Sequence, residues 1–312
     1  MGQTTGIEWT HHTWSPWWGC TKVSDGCKNC YADSWSNRWG FKIWGPSAER
    51  RFFGDKHWND PRRWDREAAA AGERRRVFPS MCDPFEGRDD LYEPLMRFCG
   101  LIEQTPNLDW LLLTKRPENI DRLLPMHWMR PGMFPRNIWL GTSFEDQKSL
   151  IDRLGHLCNC PAPVRFLSGE PLLAEADLIE AFRLVLSAAC RLALICPPPT
   201  AKEITTETAS QSISSVLHWM IVGGESGGLA RPMDPAWAMK LRDQCRTAGI
   251  PFFFKQWGEW APWDFDSWTP NELHEFRFGQ GEESRGVFRV GKKLAGRQLD
   301  GRTWDEIPEV RS

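Results

Sequence analysis

The run 109-DWLLLTKRP-117 places four apolar residues, Trp110 to Leu113, ahead of a polar turn that carries Lys115. A near-continuous apolar run of this length, bounded by turn residues, suits a strand buried on both faces, as in a parallel sheet. The same phrase returns as VFPSMCD (77–83), NIWLGTSFED (137–146), VRFLSGEPLL (164–173), HWMIVGGESGG (218–228) and IPFFFKQWG (250–258). Between these runs the apolar spacing predicts helices around 88–104, 117–124, 145–155, 176–190 and 235–248. An additional strand at Gly6–Trp9, followed by a helix near 29–38, brings the expected strands to about seven. Alternation of this kind predicts an α/β fold, a full or partial parallel (β/α) barrel of TIM type. No G-x-G-x-x-G opens a helix after the first strand, which argues against a dinucleotide-binding sheet.

The expected organisation is a single barrel domain over 1–261 and a C-terminal extension over 262–312, with a hairpin around Gly291–Lys293. Two insertions break the barrel's rhythm. Residues 40–76 carry eight arginines against six acidic residues, interleaved with Trp44, Phe52, Phe53, Trp58 and Trp64. Basic and aromatic residues together suit a lid that meets phosphates and bases, and they suit equally a solvated loop-helix with aromatic anchors. Residues 191–215, rich in Pro, Thr and Ser, predict a surface excursion without chemistry.

Formal charge is −2 over 312 residues, so any nucleic-acid contact must be local rather than a global polyanion signature. The chain has 19 Trp and only 2 Tyr, enough aromatic faces to fill a core and still line a pocket. The opening MGQTTGIEWT has no basic-then-apolar segment, and no apolar stretch approaches the roughly 20 residues of a membrane helix, so the expectation is a cytoplasmic protein.

Cys20, Cys27 and Cys30 stand in WWGCTKVSDGCKNCYAD, each of the first two preceded by a glycine. Three closely spaced thiolates hold a metal or cluster and leave one coordination position open. A structural zinc site needs a fourth ligand, and no second C-x-x-C or H-x-x-x-H stands nearby, so a four-iron cluster fits this set better than zinc. The other seven cysteines, Cys82, Cys99, Cys158, Cys160, Cys190, Cys196 and Cys245, lack a disulfide framework and read as free thiols.

On a parallel barrel the reacting groups follow the strands, which nominates Ser80, Asp83, Thr114, Lys115, Ser143, Glu145, Ser168, Glu170, Glu225, Ser226, Lys255 and Gln256. Gly223 and Gly224, with Gly227 and Gly228, let backbone approach a ligand closely beside Glu225, and Arg231 adds a cation.

Taken together, GIEWT, TWSPWWGCTKVSDGCKNCYA, LLLTKRPENI, NIWLGTSFED, VRFLSGEPLL, WMIVGGESGGLARPM, PFFFKQWGEW and LDGRTWDEIP resemble a bacterial and phage family of unknown function with a three-Cys motif. That family is grouped with radical S-adenosylmethionine (SAM) proteins of partial TIM-barrel fold. The resemblance implies a [4Fe-4S] cluster on Cys20, Cys27 and Cys30, SAM on its fourth iron, and a reducing electron donor. The cofactor then carries the difficult step while the protein binds and orients. The commonest motif of such proteins is C-x3-C-x-aromatic-C. Here the spacing is C-x6-C-x2-C, Asn29 takes the aromatic place, and Tyr31 is the aromatic placed to contact SAM. A GGE triplet that elsewhere lies early in the barrel ends a late strand here, so the SAM role does not pass to Glu225. Lys115 and Lys255 are candidates for the SAM carboxylate or a substrate anion, Glu145, Glu170 and Glu225 for the substrate, and Ser143, Gly223 and Gly224 for cofactor contacts. The TK and LGTS strand ends also resemble DNA-photoproduct lyases loosely, which with residues 40–76 makes a nucleic acid or nucleotide the expected substrate class. Two other readings stay open. One is a hydrolase using two of Glu145, Glu170 and Glu225 as acid and base; the other is a zinc-stabilised, phage-associated binding module without turnover.

Overall fold

From Val77 onward strands form where the apolar runs predict them, and several continue into the polar residues that follow the run, as at Thr114, Ser143 and Gln256. The computed structural model describes residues 5–192, 204–262, 274–280 and 284–309, apart from the side chains of 189–192. The chain forms two compact units, one of residues 1–143 and 156–166, the other of 144–155 and 167–312.

The first unit holds β1 (His12–Thr13), α1 (Tyr31–Arg38), α2 (Asp55–Ala71), β2 (Arg75–Phe78), α3 (Tyr92–Glu103), β3 (Leu108–Thr114), α4 (Ile120–Leu123) and β4 (Ile138–Ser143). Helix α5 (Gln147–Cys158) and strand β5 (Val164–Gly169) are divided between the units. In the second unit follow α6 (Leu178–Leu192), α7 (Thr206–Ile213), β6 (Trp219–Gly223), α8 (Pro235–Ala248), β7 (Phe252–Gln256), β8 (Trp260–Ala261), β9 (Glu275–Phe278), β10 (Arg285–Arg289) and α9 (Lys292–Ala295). Strands β1 to β7 follow one another in the sheet in chain order. The pairs β1–β2, β2–β3, β3–β4 and β6–β7 are parallel. This is the strand order of a partial (β/α) barrel, and the fold class is α/β as the runs predict.

In the first unit β3 and β4 pair in register from Trp110 opposite Ile138 to Thr114 opposite Thr142. Both strands are buried nearly throughout, each fully buried Leu or Ile contributing roughly 1.5–3 kcal/mol. Asp109, buried at the start of β3, is tolerated because Arg74 grips its carboxylate with Nε at 3.0 Å and Nη2 at 2.6 Å. Gly141 is glycine because a Cβ there would lie 2.4 Å from the Phe166 ring.

The first strand lies later than expected. GIEW forms a turn closed by the Thr10 N–H on Ile7 O, and pairing with β2 begins where His11 N–H donates to Arg76 O. Likewise β2 ends at Phe78, since Pro79 has no N–H to continue a ladder. Of the two readings of residues 40–76, the helix with aromatic anchors describes α2. Trp58 and Trp64 on α2 are buried in the core, and Trp14 stacks on His57 at 4.8 Å and meets Trp58 edge-on. Most arginines of the segment are engaged by the protein itself, Arg50 by Glu86, Arg62 by Gln104, Arg63 and Arg75 by Glu67, and Arg74 by Asp109.

Packing fixes the charge state of His57. Burial lowers its pKa below the usual imidazole value, against the Ser15 carbonyl 2.9 Å from Nε2, which raises it. The unfolded chain therefore takes up a proton near pH 6.5 that the folded chain resists. This contribution to stability is complete above about pH 6.5 and declines as pH falls toward the lowered folded value. Denaturant midpoints are expected to drop between pH 7.5 and pH 5, and His57→Phe is expected to flatten that drop.

In the second unit β8, β10 and β9 form a small antiparallel sheet. The hairpin is thus built from 275–278 and 285–289, while Lys292–Ala295, where it was expected, is a helical turn. Part of the predicted excursion at 191–215 is the helix α7, with Ala209 and Ile213 buried; residues 193–203 lie outside the described residues. Among the described residues no helix is long and apolar enough to cross a membrane.

Candidate functional site

The cysteine loop leaves the sheet just after β1 and is anchored at both ends by backbone. Gly19 N–H donates to Met81 O at 3.0 Å, and a short 3-10 turn at Asp25–Cys27 ends with the Cys30 N–H on Cys27 O at 3.3 Å. Cys30 is the N-cap of α1, and Lys22 clamps the loop from outside through the Lys28 carbonyl at 3.0 Å and the Asp33 carboxylate at 2.7 Å. Gly19 has φ +114, and a Cβ on it would stand 2.3 Å from Ile43 O and 2.8 Å from Arg50 Cδ. Gly19→Ala is therefore expected to displace the loop, read as lost metal binding together with a lowered unfolding midpoint.

All three cysteines line one cavity of about 150 Å3, shared with Tyr31, Lys115, Ser143 and a fourth thiol, Cys82. Burial pushes the Cys20 thiol up to about 12 and also raises Cys30, so both are held as thiols until a cation compensates the thiolate. Among the described residues no group of three or more His, Cys, Asp or Glu side chains is placed to hold a metal ion. A single tetrahedral ion needs its sulfurs about 2.3 Å away and hence close to one another. A four-iron cluster gives each thiolate its own iron, so three cysteines holding one need not converge on a single ion.

Asp83 and Arg116 organise the wall opposite the loop. The Asp83 carboxylate accepts from Thr114 Oγ1 at 2.7 Å, Lys115 N–H at 3.2 Å and Arg116 Nη1 at 2.8 Å. Arg116 then reaches the cysteine loop, with Nη2 donating to Thr21 O at 2.5 Å and Nη1 lying 3.7 Å from Cys20 Sγ. Arg116 sits in the run that opened the sequence reading, directly after Lys115, and was passed over for its neighbour. The signal that could have found it is a second cation at the same strand end. Lys115 itself is half-buried, and among the described residues its ammonium has no hydrogen-bond or ion-pair partner. The Tyr31 hydroxyl donates to Ser80 O at 2.8 Å, which fixes its ring at the mouth of the cavity.

The remaining nominated residues belong to the second unit, and cations hold its carboxylates. Buried Glu145 accepts from Arg153 Nη1 at 2.9 Å, and its own carbonyl accepts from Leu173 and Ala174 N–H. Buried Glu225 takes three bonds from Arg231, at 2.9 Å from the backbone N–H, 2.9 Å from Nε and 2.6 Å from Nη2. Lys255 pairs with Glu170. Two of the glycines answer to packing rather than to a ligand. Gly224 is required because a Cβ would stand 2.0 Å from Trp257 O, and Gly223 faces Gln256 O at 3.4 Å. A pair of free carboxylates of the kind a hydrolase needs is not what these contacts provide, since each of the three has a cation of its own.

Among solved structures, the chain is similar to a cysteine-to-serine variant of spore photoproduct lyase, at 13% identity and TM-score 0.43, covering 94% of this chain and 72% of that one. It is also similar to spore photoproduct lyase complexed with dinucleoside spore photoproduct, at 14% identity and TM-score 0.40, covering 89% and 68%. A third is a double variant of that lyase with bound AdoMet and the same dinucleoside, at 12% identity and TM-score 0.41, covering 88% and 66%. No curated protein matches the chain. The family described as protein of unknown function (DUF5131) matches residues 4–308, nearly the full length, and the chain belongs to that family.

Proposed function

We propose that the chain is an iron-sulfur enzyme of radical-SAM type. The observation that carries the reading is the meeting of Cys20, Cys27 and Cys30 in one cavity with Lys115, whose ammonium has no ion-pair partner among the described residues. The three thiolates would hold a [4Fe-4S] cluster, which with SAM bound and one electron from a reductant would supply hydrogen-atom abstraction from a substrate. The residues of this chain bind, orient and shield. Lys115 offers a charge to a carboxylate or phosphate entering the cavity, and Tyr31 gives it an aromatic wall. Arg116, fixed by Asp83, holds the Thr21 carbonyl and with it the position of the loop at Cys20. Glu145, Glu225 and Lys255 are proposed as structural partners within their own unit rather than as acids or bases, from the ion pairs described above.

The test is anaerobic incubation of the iron-loaded protein with SAM and dithionite. Release of 5′-deoxyadenosine that depends on both supports the reading. A loaded protein that neither binds SAM nor releases 5′-deoxyadenosine rejects it.

A further inference from the structure

Among the described residues twelve tryptophans, including Trp14, Trp17, Trp58, Trp64, Trp110 and Trp139, are buried, which leaves packing as the reason for most of them. Trp35 and Trp39 are different, at 39% and 66% exposed, and among the described residues they are the exposed tryptophans. Trp35 lies on α1, the helix that starts at the cysteine loop, and Trp39 is its C-cap. With Tyr31, 51% exposed, they recur at positions 31, 35 and 39, a spacing of four that keeps side chains on one side of an α-helix. The inner side of α1 is Ala32 and Ser36, the former packed on Trp18, Ile43 and Met81.

The stripe is held rather than loose. The edge of Trp35 meets Trp18 at 5.3 Å, Trp35 and Trp39 lie 6.0 Å apart at 46°, and Tyr31 is tied to Ser80 O. Cations accompany it. Arg38 stands three residues after Trp35, on the same helical side and next to the line of Tyr31, Lys42 follows the helix and Lys28 precedes it. All three are exposed, and among the described residues none has an ion-pair partner. The acidic residue of α1, Asp33, is neutralised by Lys22 at 2.7 Å and bonded by Asn37 at 2.7 Å. Exposed rings in a row, uncompensated cations beside them and one end opening on the reaction cavity together define the chemistry of the partner.

From this arrangement we propose that the outer side of α1 is a stacking platform for a single-stranded nucleic acid, whose bases lie on Trp39 and Trp35 and lead past Tyr31 to the cavity. Base–ring stacking tolerates sequence, because every base has a π face, and the cations take the phosphates. The proposal rests on the cavity being the reaction site, but the binding it describes does not depend on the cluster.

The experiment is fluorescence anisotropy of a labelled oligothymidylate of about 12 nucleotides, within the usual range of single-strand site sizes, titrated with the full-length protein. Wild type is expected to bind the single strand in preference to the corresponding duplex. Trp35→Ala and Trp39→Ala should each weaken binding by about 5- to 150-fold, and Trp39→Phe should restore most of the loss. Arg38→Ala should reduce the slope of log affinity against log salt by about 0.7. Trp39 and Arg38 are exposed, so their variants should leave the unfolding midpoint nearly unchanged, whereas Trp35→Ala should lower it through the packing lost against Trp18. Wild-type protein stripped of iron should bind the oligonucleotide as the iron-loaded protein does, which separates failure of this proposal from failure of the radical-SAM reading. Equal affinity for duplex and single strand, or binding unchanged in the Trp35→Ala/Trp39→Ala double variant, overturns it. So does a concentration-dependent dimer that the double variant abolishes while no oligonucleotide binds, since the stripe would then be an interface between copies of this chain.

Discussion

Cys27→Ala is expected to bring the iron of anaerobically loaded protein from about four per chain to near zero, and to abolish SAM cleavage with it. The expectation follows from the loop's construction. Cys20, Cys27 and Cys30 all line the cavity, and the fourth thiol there, Cys82, belongs to another segment and is held as a thiol by burial rather than offered as a replacement ligand. The structural cost of the change is small, because Cys27 is only half-buried and its sulfur makes a single long contact, 3.9 Å, to Ser24 Oγ. Two controls make the result specific. Cys99→Ala on α3 and Cys245→Ala on α8 remove buried thiols far along the chain, and should lower stability while leaving iron untouched. Iron measured by colorimetric assay alongside thermal unfolding of each variant checks both halves. Full iron retention in Cys27→Ala would show that the loop is not the ligand set.

Glu86→Ala is expected to destabilise the fold by about 3–5 kcal/mol, the usual loss when one partner of a buried ion pair is removed and the other stays charged. The Arg50 side chain is 0% exposed and that of Glu86 2%, and the two meet through Nε at 3.1 Å and Nη2 at 2.5 Å. Arg50 also donates to the carbonyls of Ile43, Gly45 and Ala48 and to Thr21 Oγ1, while Glu86 accepts from the same Thr21 hydroxyl at 2.6 Å. One buried pair thus fastens segment 43–50 to the residue next to Cys20. Removing the carboxylate should therefore loosen the cysteine loop as well as the fold. Glu86→Gln, which keeps the shape and part of the hydrogen bonding, should cost less than the alanine change. Denaturant unfolding at constant pH measures both, and equal stability of wild type and Glu86→Ala would contradict the account.

The sequence announces this fold where burial is two-sided. Trp110–Leu113, Ile138–Leu140 and Phe252–Phe254 are read as strands because a continuous apolar run has few other uses in a parallel sheet. Strand β1 is missed because it is two residues long and polar, His12 and Thr13, its place fixed by pairing with β2 rather than by composition. The carboxylates at the strand ends are legible as positions but not as roles. Glu145 and Glu225 look like free reacting groups until Arg153 and Arg231 close on them, eight and six residues later in the chain. Arg50–Glu86 leaves no local trace, since its partners are 36 residues apart. The aromatic content of 40–76 misleads for a related reason. Two of its three tryptophans, Trp58 and Trp64, are apolar anchors of an amphipathic helix, while Trp44 lines the cysteine cavity and the two exposed tryptophans, Trp35 and Trp39, lie just before the segment.

The central claim is that Cys20, Cys27 and Cys30 hold a four-iron cluster, and the most direct measurement is the iron and sulfide content of the wild-type protein purified without oxygen, taken with its visible spectrum. The account predicts a brown protein with about four irons and four sulfides per chain. A colourless protein carrying one zinc per chain, or one that holds no metal after loading with iron and sulfide, would contradict it.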